Sequence, residues 1–102
     1  MTWDHYVASF FAGALLANFV PHFVQGISGN RFPTPFAKPR GKGLSSPLVN
    51  VMWALFNLVI GYLLFRGGRV ASGEYPVLSI FLAGIAAISL PMSVHFAGKE
   101  PL

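Results

Sequence analysis

Five polar side chains interrupt long apolar stretches of this sequence: Asn18, His22, Asn50, Asn57 and His95. Asn18 and His22 are four residues apart and share one face of a helix. Asn50 and Asn57 are seven apart and share a face of another, with Trp53 and Ala54 between them. Amides and imidazoles inside apolar helices have three uses. They hydrogen-bond helix to helix, they line a path for a solute, or they ligate a metal centre. Two imidazoles at one depth on parallel helices also match the donor set of a haem iron held from both faces. His22 and His95 are therefore candidate haem ligands in an alternative reading, while the leading expectation is no cofactor. A zinc site is less well supported, because cysteine is absent and no acid accompanies the pair.

Other chemistry lacks its residues. The three acids, Asp4, Glu74 and Glu100, lie outside the apolar runs, which leaves no carboxylate for acid–base work inside them. Without cysteine there is no thiolate nucleophile. Ser45 and Ser46 lack a G-x-S-x-G elbow, and Gly41-Lys42-Gly43 lacks the spacing of a phosphate-binding P-loop. No catalytic residue is assigned, and the expectation is a protein that is not an enzyme.

The elements that must position these groups are three apolar runs, at about 6–27, 47–65 and 76–97. Each is about long enough to cross a bilayer core as a helix. Composition agrees: 54% of residues are hydrophobic and 10% charged, against roughly 25% charged in soluble domains. The first run begins MTWDHY, without the basic residues of a signal peptide, so a retained helix is expected. Ser46 suits an N-cap and Pro47 a first helical position; Arg66 and Gly67-Gly68 end that run. Pro21 and Pro91 are expected to bend the first and third helices. Strands are not expected, since three of them cannot close a barrel. The fold class is therefore an all-α membrane protein: one domain, 1–102, of three transmembrane helices, with a long basic Pro/Gly-rich loop at 28–46.

Antiparallel packing of the first two helices would set His22 near Asn50 or Trp53, Asn18 near Asn57, and Ala14 near Gly61. Ser79, Ala83, Gly84, Ala86 and Ala87 on the third helix permit close approach of another helix.

The 28–46 loop carries Arg31, Lys38, Arg40 and Lys42 and no acid. By the positive-inside rule the loop and the C-terminus face the cytoplasm and the N-terminus lies outside, although Arg66 and Arg69 count against this. The net charge of +4 then points to anionic lipid headgroups rather than nucleic acid. The segment FPTPF favours an extended path, with Phe32 and Phe36 dipping into the membrane interface. The loop's turn chemistry suits a segment lying back on the bundle, and its four cations suit a phosphate, a carboxylate or a partner's acidic surface.

The leading expectation is a small multi-pass membrane protein serving as an accessory or scaffold subunit of a larger complex. Its partners would be membrane lipids and other transmembrane chains, or further copies of itself. The alternatives are a homo-oligomeric carrier or channel for an anionic or amphipathic solute, and a bis-histidine haem module.

Overall fold

Polar and small side chains, rather than large apolar ones, fill the centre of this protein. The computed structural model describes residues 2–38 and 43–97. Three α-helices, α1 (Trp3–Ile27), α2 (Pro47–Gly67) and α3 (Tyr75–Ala97), are joined by the 28–46 connection and by a short 3-10 turn at Val70–Ser72. All three are long and apolar enough to cross a membrane. Among the described residues there is no strand, only one isolated bridge between Phe32 and Ser45.

Local chemistry accounts for the helix ends. The backbone N–H of Thr2 donates to His5 Nδ1 at 3.1 Å, so α1 starts at Trp3, earlier than the apolar run alone implies. Ser46 caps α2 by accepting from the Val49 N–H at 3.2 Å, and Pro47 occupies the first turn. Past Gly67 the chain reverses through Arg69, whose φ of 57° is left-handed, and Gly73 at 73°. α1 and α3 remain helical through Pro21 and Pro91.

α1 is the central element, antiparallel to α2 and parallel to α3. Glycines set the spacing. A Cβ on Gly13 would strike the Phe81 carbonyl, and one on Gly84 would strike the Phe10 carbonyl, so α1 and α3 cross backbone to backbone. Gly61 receives Leu16, two residues beyond the expected Ala14, and Gly26 lies against Val51 and the Pro47 carbonyl. At the end away from the 28–46 connection, Ser9 Oγ is 2.6 Å from the His5 carbonyl and 3.1 Å from that of Gly68. α2 and α3 touch through Phe65 and Phe81, whose rings are 5.5 Å apart.

Asn50, Asn57, Thr34 and Ser9 are among the most completely buried side chains, while Phe56, Leu63, Leu90 and Val94 point outward. Only Val77 and Gly84 of α3 are buried. This inverts the arrangement of a water-soluble domain and fits a chain whose surroundings are apolar.

The glycine crossing can be tested by placing one substitution at two sites. Gly84→Ala should cost about 1–3 kcal/mol of stability, because the helices must separate. Gly67→Ala, where nothing lies within 4 Å, should be neutral or stabilising by up to about 1 kcal/mol. Unfolding by SDS in mixed micelles would show this; equal midpoints for the two variants would contradict the crossing.

Candidate functional site

At the end of the bundle where α1 finishes and α2 begins, an irregular segment lies against the helices. Residues 32–34 are buried; Phe32 is 5% exposed and Thr34 1%. Phe32 and Ser45 exchange backbone hydrogen bonds, N–H to carbonyl, at 3.2 and 3.0 Å. Thr34 Oγ1 and Ser45 Oγ pair at 2.5 Å, and Thr34 Oγ1 also accepts from the Phe36 N–H. This is a side-chain turn of the kind threonine forms readily. The Phe32 ring packs 5.4 Å from His22 and 4.7 Å from Phe96. Phe32 is thus inside the bundle rather than at an interface. Its backbone bonds to Ser45 hold it there. Phe36, 64% exposed, is the aromatic left at the surface, edge-on to Trp53 at 5.3 Å.

One turn into α2, Asn50 ties the assembly together. Its Nδ2 hydrogens are shared among three carbonyls: Phe32 at 2.9 Å, Ser46 at 3.0 Å and Ser45 at 3.3 Å. This fixes the amide so that Oδ1 faces His22 Nδ1 at 2.9 Å. Oδ1 can only accept, so Nδ1 carries the hydrogen, and in the neutral ring Nε2 is an acceptor. Two turns further along α2, Asn57 accepts from Asn18 Nδ2 at 3.1 Å and donates to the Trp53 carbonyl at 2.8 Å.

These pairs, His22 with Asn50 and Asn18 with Asn57, are the ones that antiparallel packing of the two patterned faces produces. A cavity of about 150 Å³ remains between the helices and the docked turn. Asn18, His22, Thr34, Trp53, His95 and Phe96 are among its walls. His95 and His22 therefore border one space, with Asn50 and Asn57 behind. That space is about the size that takes a single benzene-like group, well short of a porphyrin. Among the described residues no group of three or more His, Asp or Glu side chains gathers around a metal-sized point. Of the four loop cations, Arg31 and Lys38 are exposed, away from the cavity lining. Arg40 and Lys42 lie outside the described residues.

Of two further contributors, the first was expected only as a neighbour of His22 and the second was not expected at all. Trp53 lines the cavity, and its indole Nε1–H is buried with no hydrogen-bond partner among the described residues. Its place between Asn50 and Asn57 on one helix face was the available signal. Thr34 gave none, because its burial depends on the fold-back of the whole segment.

Comparison with protein-family models, with curated proteins and with solved structures found no match.

Asn50→Leu would leave the His22 N–H and three carbonyls without their partner. A loss of about 2–4 kcal/mol is expected, against about 0.5–2 kcal/mol for Asn18→Ala, which removes one interhelical bond. Limited proteolysis between residues 31 and 38 should rise with Asn50→Leu alone. Equal stability and equal cleavage in the two variants would show that Asn50 does not organise this end.

Proposed function

We propose that the chain is a multi-pass integral membrane protein that acts without catalysis, as an accessory or scaffold subunit of a larger membrane assembly. One observation carries this reading. The polar groups of the helices are largely spent on joining α1, α2 and the docked turn, while α3 buries only Val77 and Gly84. Other small residues of α3 point away from the bundle. Ser79, Ala83 and Ala87, four apart, form an exposed stripe, and Ala86 is exposed beside it. In lipid, such a stripe favours close approach of another helix, since apolar surface alone brings no net attraction there.

The loop then faces the cytoplasm, with the C-terminus on the same side and the N-terminus outside. The exposed Arg31 and Lys38, with Arg40 and Lys42, engage anionic headgroups or a partner's acidic surface. A homo-oligomeric carrier or channel for an anionic or amphipathic solute is the second reading. It is favoured by the way Asn18, His22 and His95 border one cavity.

Purification at native expression level in a mild detergent should yield a stoichiometric set of other membrane chains, or a discrete oligomer. Ala83→Trp, on the outward stripe of α3, should lose that association, and Leu63→Trp, on the outer face of α2, should keep it. A chain that runs alone and at one size in all three forms would sink the scaffold reading. Orientation is read separately, because the chain has no cysteine. In intact cells a membrane-impermeant maleimide should label Ser72→Cys, and should reach Lys38→Cys only after permeabilisation. The reverse pattern would invert the topology.

A further inference from the structure

We propose that the outer face of α2, where the docked turn meets it, holds one acyl chain of an anionic phospholipid, with the lipid's phosphate drawn to Lys38. This rests on the headgroup role of the loop cations and deepens it. It does not depend on α3 having a protein partner.

Trp53 borders two spaces. One is the cavity beside His22. The other is a groove of about 420 Å³ walled by Phe36, Val49, Met52, Trp53 and Phe56. The Trp53 and Phe56 rings lie 13° from parallel with centroids 5.7 Å apart, and Phe36 stands edge-on to Trp53. Phe36, Met52 and Phe56 are exposed, so the groove opens to whatever surrounds α2. Among the described residues no charged, amide or hydroxyl side chain lines it. Its volume is well above the ~150 Å³ that holds one benzene, which suits a stretch of a single alkyl chain. Trp53 stands six residues past Pro47, about 9 Å along α2, at the depth of a tail rather than of a headgroup.

Two observations choose the occupant. The first is the size of the walls. Helices in lipid approach one another over small residues. No glycine, alanine, serine or threonine is among the described residues that line this groove. It therefore suits a flexible chain, to which Met52 can adapt, rather than the helix of a partner or of a second copy. The second is charge. The Phe36 N–H donates to Thr34 Oγ1 and the Ala37 N–H to the Thr34 carbonyl, which fixes the path of the turn. Exposed Lys38 follows Phe36 by two residues. Its long stem can carry the ammonium to a phosphate while the tail lies along Trp53. The nearest acids in the sequence are Asp4 and Glu74, so no carboxylate of the loop competes. A zwitterionic lipid offers the same tail, but its own cation offsets the phosphate, so the preference is for an anionic head.

The test uses Trp53 as the reporter, because it lines the groove. Trp3→Phe, at an exposed position, leaves it the sole tryptophan of the full chain. Phosphatidylcholine bilayers would carry a small fraction of phosphatidylglycerol or of phosphatidylcholine brominated on the acyl chains, and bromine quenches tryptophan only at short range. Brominated phosphatidylglycerol should be preferred at Trp53 by at least about fivefold, the factor expected of one cation near an anionic surface, and Lys38→Gln should remove that factor. Phe36→Ala takes away a wall and Val49→Phe fills the groove; each should bring the two lipids close to parity. Phe36→Ala, at an exposed side chain outside the Asn50 network, keeps the test valid if Val49→Phe fails to fold. Parity in the parent chain would overturn the proposal, and so would protection of Trp53 from both lipids, as under a covering helix. A preference that survives in Lys38→Gln, or in a folded groove variant, would overturn it too. Phosphatidylglycerol counted by mass spectrometry in the purified protein separates the failures. Parity with that lipid still retained condemns the groove alone; parity with none retained condemns the headgroup role as well.

Discussion

The docked turn depends on one amide. Residues 32–38 and 43–46 follow an irregular path against helices that are apolar outside, so carbonyls facing the bundle have no water to turn to. Asn50 is fully buried and answers three of them at once. In such surroundings an unpaired carbonyl is costly, which makes a single well-placed donor decisive for the path the chain takes. The same amide then uses its oxygen to orient His22 and select its protonated nitrogen. The loop position, the ring of His22 and the seat of Phe32 are therefore one choice.

A second constraint is distance. Between helices in lipid the hydrophobic effect gives little attraction, so contact depends on dispersion and hydrogen bonds, and both require close approach. Gly13 against Gly84 supplies it for α1 and α3. Gly61, Gly26 and Gly68 supply it for α1 and α2. The tightest α1–α3 crossing lies toward the N-terminal half of α1. Beyond it the larger side chains from Leu16 to Pro21, and Met92 and Phe96 opposite, hold the helices apart and leave a groove. Tight packing at one end and open space at the other follow from where the glycines stand.

Much of this is legible in the sequence. The three helices follow from run length, and the α2 cap from Ser46-Pro47. The pairs His22–Asn50 and Asn18–Asn57 follow from matching spacings on two antiparallel faces. The close crossing of α1 and α3 was legible only in part. Small residues on α3 were visible, but nothing in one sequence says that Gly84 turns inward while Ser79, Ala83 and Ala87 turn out. The burial of Phe32 was misread, because aromatic residues near prolines suit an interface equally well until a specific partner, here the Ser45 backbone, pulls one of them in. The Thr34–Ser45 pair joins residues eleven apart across an irregular path, which no periodicity reports.

What the network leaves over is more informative than what it uses. Asn18, Asn50 and Asn57 satisfy each other, His22 and nearby carbonyls, so their presence in the helices is explained by assembly alone. Trp53 is not explained that way. A phenylalanine would keep a smaller aromatic ring there without burying a donor, and indole N–H groups usually find a partner when buried. Trp53 stands on the α2 face that already carries Asn50 and Asn57, its ring edge-on to His22 with centroids 6.5 Å apart, and its N–H is closed off from the cavity.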